Sequence, residues 1–278
     1  MKADLDLVML AAGLERRAPG IWFGRRQGEV SYPEQGNAAC FAVEDRSFWF
    51  AHRNRCILSL VRRFPPDGVF LDIGGGNGYV AKGLMDAGIT CILLEPGIDG
   101  ALAAHARGVD PVICATLEEA DLPQTSIAAA GMFDVLEHIE DDGAALRRVH
   151  ALLRPGGRLF VTVPAHPVLY SAEDRGAGHF RRYAASGLAR VLEASGFGVE
   201  FVSYMFSPLP PIIFLLRTLP SWFGSGGRTG PEQDAAEHSP DGMIARVVDR
   251  ILISECARIA AARTLPFGGS CICVARKD

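Results

Sequence analysis

Apolar residues in the central part of the chain fall into short runs separated by stretches of helical periodicity. Runs at 69–73, 90–95, 110–114, 128–133, 157–163, 198–205 and 270–275 read as strands. Between them, residues 79–88, 99–107, 142–153 and 184–195 place apolar positions on one helical face. Strands alternating with helices are the pattern of βαβ units, so the expected fold class is α/β with parallel strands. Ligands in such open sheets sit beyond the carboxyl ends of the strands, where the strand order reverses.

The flanks behave differently. Residues 1–68 precede the first run and are expected to form a helical or mixed N-terminal cover segment, with the core over 69–205 and a final core strand in 269–278. The intervening residues 206–268 far exceed the usual connection of about 4–6 residues and read as a cap or lid insert. Its first part, 205–223, is apolar and aromatic. Its middle, 224–242, is rich in Gly, Ser and Pro and is expected to be a linker or mobile loop. Residues 243–263 predict an amphipathic helix, with Ile244, Val247, Val248, Ile251, Cys256 and Ile259 at helical spacing. The 205–223 stretch carries four prolines and a central Arg217, so it does not meet the roughly 18–20-residue requirement for a membrane span. Leu5 to Leu14 is briefly apolar but contains Asp6 and shows no convincing cleavage site. There is no internal repeat.

Apolar residues make up 49% of the 278 and charged residues 22%, a globular composition. A formal net charge of −4 argues against a nucleic-acid binder that relies on global positive charge. The seven cysteines form no C-x-x-C pair and no metal-type spacing, so reduced, mostly buried thiols in a cytoplasmic protein are expected. Cys271 and Cys273 alternate along the last strand and should share a face.

Chemistry enters at Val69-Phe-Leu-Asp-Ile-Gly-Gly-Gly-Asn-Gly-Tyr-Val80, a strand, a turn and a helix start. With Gly74, Gly75, Gly76 and Gly78 in five positions, the backbone lies bare and a ligand can rest against it. The helix N–H groups that follow favour electron-rich ligand atoms. Asp72 suits a cation or hydroxyl donors better than a phosphate. The loop satisfies two patterns: G-x-G-x-x-A at Gly76-Asn-Gly78-Tyr-Val-Ala81, expected of dinucleotide binders, and Asp72-x-Gly74-x-Gly76-x-Gly78. Glu95 ends the next strand 23 residues after Asp72, near the spacing of a ribose-binding acid. That acid serves a nicotinamide dinucleotide and S-adenosylmethionine (SAM) equally.

The Asp72 pattern matches the first motif of class I SAM-dependent methyltransferases. Downstream, Gly131-Met-Phe-Asp-Val-Leu-Glu-His-Ile-Glu-Asp-Asp142 and Leu152-Leu-Arg-Pro-Gly-Gly-Arg-Leu-Phe-Val-Thr-Val-Pro164 resemble the bacterial small-molecule members related to quinone-biosynthesis methyltransferases. The resemblance runs from about Phe48 to Phe201 and returns at the C-terminus. It implies a Rossmann-like, seven-stranded, mostly parallel sheet with the last strand antiparallel, and SAM as cofactor with S-adenosyl-L-homocysteine as product.

The resemblance also implies site residues. Cofactor contacts fall to Asp72, Gly74, Gly76, Gly78 and Glu95, with Thr116, Leu117 and Glu118 at the adenine position and Asp134 bordering the methyl group. Glu118 is equally readable as a solvated helix acid. Arg53, four residues after Trp49 and on its helix face, is a candidate partner for the methionyl carboxylate. His138, with His166 or His179, has the pKa range to take a proton from an acceptor. Tyr170, Arg181, Arg182 and Tyr183 are expected on the substrate side, and Asp174 with Arg182 reads as a structural pair. No metal is required. The expected reaction is methyl transfer to an O, N or C nucleophile of a small, amphipathic molecule, with peripheral membrane contact through 205–223 and neither a nucleic-acid partner nor a membrane span. Rival readings are an NAD-dependent oxidoreductase, a SAM enzyme of another reaction type, and a non-catalytic SAM-binding protein.

Overall fold

The computed structural model describes residues 14–17, 21–24, 44–45, 47–207 and 243–278, without the side chains of 243–249. Nine strands join in one sheet: β1 (Leu14–Arg17), β2 (Ile21–Gly24), β3 (Phe70–Ile73), β4 (Cys91–Leu94), β5 (Val112–Cys114), β6 (Ile127–Phe133), β7 (Leu153–Pro164), β8 (Phe197–Met205) and β9 (Ser270–Lys277). Their spatial order is β1-β2-β5-β4-β3-β6-β7-β9-β8. Strands β5, β4, β3, β6 and β7 run parallel, and β9 enters antiparallel between β7 and β8. All seven expected strands form. The sheet has two strands more than the expected seven, both from within the helical or mixed N-terminal cover, with β2 parallel to β5 and β1 antiparallel to β2. Four-residue strands are too short for alternation to declare itself, and Ile21 and Phe23 are buried only because the sheet edge is there to receive them.

The helices are α1 (Phe48–Arg63), α2 (Tyr79–Asp86), α3 (Ile98–Ala106), α4 (Asp142–Leu152), α5 (Ala172–Gly176), α6 (Ala185–Ala194) and α7 (Met243–Ala260). They cover both faces of the sheet. One core joins Leu71, Ile73, Met132 and Val161 to α4 and α6, and the other joins Phe70, Leu93 and Phe160 to α1, α2, α3 and α7. Central strands buried on both sides have no solvent face, which is why β3, β4 and β6 read as continuous apolar runs. Ser47 caps α1 by accepting from Trp49 N at 3.2 Å, and Asp141 caps α4 by accepting from Ala144 N at 2.8 Å. In α7 the buried stripe is Leu252, Glu255, Cys256 and Ile259, whereas Ile251 is 41% exposed, so the expected apolar face is rotated. The rest of the insert, 208–242, lies outside the described residues.

The chain lays down β3, β4 and β5 outward in one direction, then returns to place β6 and β7 on the other side of β3. The crevice at the carboxyl ends of β3, β4 and β6 is therefore the switch point. Beneath it, Phe70, Phe133 and Phe160 pack together, with Phe70 at 6.4 Å and 5.7 Å from the other two ring centres. Gly131 lies under these rings. A Cβ there would stand 2.3 Å from Phe133 Cε2 and 3.0 Å from Phe70 Cε1. Gly131→Ala is accordingly expected to cost about 1–3 kcal/mol by overpacking, read as a lower urea midpoint with an unchanged slope.

Candidate active site

A cavity of about 570 Å³ opens at this switch point, within the size range of small-molecule sites. Its floor is the turn after β3. Gly74 has φ +66°, and a Cβ on it would meet Val135 Cγ2 at 2.7 Å, so only glycine lets the turn pass there. Asp72 is 1% exposed, and its Oδ2 is buried with no hydrogen-bond partner. Burial pushes its carboxyl up to about 7, against the lowering effect of Arg53. Glu95, at the end of β4, is also raised by burial. It accepts from Gly76 N at 2.8 Å and Gly97 N at 2.7 Å, which pull the other way.

The opposite wall comes from the end of β6 and the loop after β7. Asp134 sits at φ 58°, a left-handed conformation that aspartate tolerates better than most residues. It accepts from Thr162 Oγ1 at 3.2 Å and pairs with Arg53. The Arg53 guanidinium also lies over Trp49, 5.0 Å from the ring centre. Next in the wall come Glu137, His138 and His179. Glu137 is 1% exposed, neither of its carboxylate oxygens has a hydrogen-bond partner, and burial with the Asp134 charge holds it well above the usual carboxylate range. The His138 and His179 rings meet edge to face at 4.6 Å, and burial with the His179 charge lowers His138 to about 4.

Behind His179 stands Asp174. Its Oδ1 is 2.9 Å from His179 Nδ1 and 2.8 Å from Arg182 Nε, and its Oδ2 accepts from Ser171 N at 2.8 Å. Burial alone would raise Asp174, but hydrogen bonds and charge from His179 and Arg182 prevail and bring it to about 2. An ionised Asp174 only accepts, so His179 Nδ1 carries a hydrogen toward it. The depressed carboxyl contributes roughly 2 kcal/mol of stability, fully present above about pH 4 and lost as pH falls through about 2.

Residues 46–201 match the family described as a methyltransferase domain, more than half of the chain. The chain belongs to the methyltransferase-domain family. It is 29% identical over 173 residues to a probable S-adenosylmethionine-dependent methyltransferase of Mycolicibacterium smegmatis, which is 60% of this chain and 66% of that protein. It is 26% identical over 107 residues to the ubiquinone biosynthesis O-methyltransferase of Pseudomonas aeruginosa, 36% and 46% of the two lengths. The chain thus spans under two thirds of the first relative and under half of the second. Phosphoethanolamine N-methyltransferase 2 of Haemonchus contortus, solved in complex with S-adenosyl-L-methionine, shares the fold. Its TM-score is 0.57 at 19% identity, over 89% of this chain and 58% of that one.

Within this methyltransferase domain, Arg53, Asp72, Gly74, Gly76, Glu95, Thr116, Leu117, Glu118, Asp134, His138 and His179 all line the cavity. The other expected site residues do not. Gly78 starts α2 at φ +75°, and a Cβ there would meet Ala104 at 2.8 Å, so it serves helix packing. His166 stacks on Tyr204 at 5.0 Å. Tyr170 donates to the His179 carbonyl at 2.8 Å. Arg181 binds Asp142 and the Glu140 carbonyl, Arg182 binds Asp174, and buried Tyr183 donates to Asp142 at 2.8 Å. These hydrogen bonds and ion pairs join Asp142, Asp174, Arg181, Arg182 and Tyr183 into a network outside this cavity. At the adenine end, Glu119 pins the turn reciprocally with Thr116, while Glu118 is 3.3 Å from Arg148 at the rim.

Several lining residues lie outside the expected site set. Trp49 and Phe50 form a wall. Glu44 reaches Asn77 at 3.2 Å and Arg107 at 2.8 Å, bracing the outer side of the glycine turn. The chain spacing shows no metal-type cluster, yet folding gathers donor atoms of Glu137, His138 and His179 to within 4.8 Å of one another. Among the described residues, no helix is long and apolar enough to cross a membrane.

Proposed function

We propose that this chain is a cytoplasmic SAM-dependent methyltransferase that moves a methyl group to an O, N or C nucleophile of a small, amphipathic molecule. One observation carries the reading: a single cavity holds both a bare glycine turn with two buried acids and a histidine backed by an ionised aspartate. The cofactor supplies an electrophilic methyl group on a sulfonium when bound. The turn fits it, since Asp72 Oδ2 is an orphaned buried acceptor suited to a cation and Glu95 suits ribose hydroxyls. Thr116 and Leu117 would border the adenine. Arg53, though tied to Asp134, is the cation nearest the methionyl end. Trp49 and Phe50 exclude water from the wall, and His179 Nε2 takes the acceptor's proton while Asp174 fixes the ring. The insert over 206–268 acts as a cap, supported by the packing of α7 on α1. The cytoplasmic placement rests on six free, buried cysteines among the described residues.

Parallel calorimetric titrations with SAM, S-adenosylhomocysteine and NAD test the cofactor, followed by labelled methyl transfer to a panel of phenols, amines and prenylated acceptors. Tight NAD binding without SAM binding sinks the reading. SAM binding without transfer to any acceptor favours a different SAM chemistry or a non-catalytic role.

The titration should depend on pH. Asp72 is protonated below about 7, and a cationic ligand prefers its ionised form. SAM affinity is therefore flat above about pH 7 and falls by about tenfold per unit below it. Asp72→Asn should remove that slope as well as weaken binding; an unchanged slope in the variant assigns the proton elsewhere.

A second reading has its own observation. The unpartnered Glu137 carboxylate beside two imidazoles is a donor set for a divalent cation, which would bind the acceptor oxygen and lower its pKa. Activity that survives exhaustive chelation supports the metal-free base; activity lost to chelation and restored by a divalent cation supports the metal.

A further inference from the structure

A second polar cluster lies away from the cavity, where α1 and α7 face each other. His52 and Cys56 are four residues apart on α1, and Glu255 and Cys256 come from α7. His52 Nε2 is 2.8 Å from Glu255 Oε1 and 3.4 Å from Cys56 Sγ, and donor atoms of these three residues all lie within 4.8 Å of one another. Cys256 Sγ is 3.4 Å from Ser59 Oγ. All four residues are buried, from 0% exposed at Cys56 to 7% at Cys256. His52 Nδ1 has no hydrogen-bond partner. A buried thiol, imidazole and carboxylate together are a costly way to join two helices if packing were their only purpose.

We propose that His52, Cys56 and Glu255 form a buried site for a divalent metal ion, with zinc the ion that this donor set suits. Zinc takes sulfur, nitrogen and oxygen ligands together in closed four-coordinate sites, whereas calcium and magnesium demand oxygen. Ligand bonds of about 2.0–2.3 Å at tetrahedral angles place neighbouring donors roughly 3.3–3.8 Å apart. The His52–Cys56 separation already meets this, and the His52–Glu255 contact must open slightly to admit the ion. The carboxylate is held for the purpose: Oε1 accepts from Phe206 N at 2.5 Å and Oε2 from Ser207 N at 2.9 Å. On binding, Cys56 releases one proton to solvent, and the His52 ring hydrogen moves to Nδ1 as Nε2 becomes the ligand. The ion would lock α7 and the end of β8 onto α1, the helix that carries Trp49, Phe50 and Arg53 into the cavity wall.

The test uses the full chain, stripped with a chelator and titrated with Co2+. The expected result is saturation with a near-ultraviolet thiolate-to-cobalt charge-transfer band and the visible bands of a four-coordinate ion, both bleached by zinc. The Glu137, His138 and His179 cluster contains no sulfur and cannot give the first band. Glu137→Gln should therefore keep it, and the Cys56→Ser, Cys256→Ser double variant should lose it. Absence of the band in folded wild-type protein, or its persistence in the double variant, overturns the proposal. Should the double variant fail to fold, X-ray absorption at the cobalt edge of the wild type decides: sulfur in the coordination sphere supports the site and its absence refutes it. This outcome is independent of whether methyl transfer is found.

Discussion

Glu95→Gln weakens SAM binding by about 10–100-fold in calorimetric titration. Each Glu95 oxygen already receives one backbone N–H, from Gly76 or Gly97, and keeps lone-pair capacity for a ligand hydroxyl. An amide turns one of these acceptors into a donor facing an N–H. Hydrogen bonds to a charged group are worth about 1.5–3 kcal/mol, and 1.4 kcal/mol is tenfold in affinity. The glutamine variant loses at least one such bond, and the turn it organised loosens. Far-ultraviolet circular dichroism should be unchanged, since Glu95 lies at the edge of the core. Wild-type affinity in the variant would remove Glu95 from the ribose contact.

His179→Asn lowers kcat by about 10²–10⁴-fold while leaving SAM affinity unchanged, the range expected for loss of a positioned base. The two readouts separate this role from a structural one, because a collapsed loop would disturb cofactor binding as well. Asp174→Asn probes the same proton from behind. Without the carboxylate the ring's tautomer and orientation are no longer fixed, so the rate falls. His138→Asn is expected to have the smaller effect, because burial with the charge of His179 already lowers His138 to about 4 and leaves it a weak base. A variant of His179 with full kcat would transfer the proton step to another group, and the Glu137 donor set is the next candidate.

Local chemistry made much of the molecule legible before folding was considered. The central strands β3, β4 and β6 announce themselves because strands buried on both faces are continuous apolar runs. The glycine turn does so because a positive φ and a close Val135 contact leave room for nothing larger. Asp72, Glu95 and Asp134 are placed by their positions at strand ends, which the βαβ pattern carries to one side of the sheet. Other features depend on contacts distant along the chain. The β1–β2 edge pair exists only against β5, and the buried face of α7 is decided by its packing on α1. The sequence by itself does not rank His138, after β6, against His166 and His179, after β7. Tertiary structure turned His166 onto Tyr204, committed Arg181, Arg182 and Tyr183 to internal acids, and set Asp174 behind His179. A polar side chain's role depends on which partner satisfies it, and that partner comes with the fold.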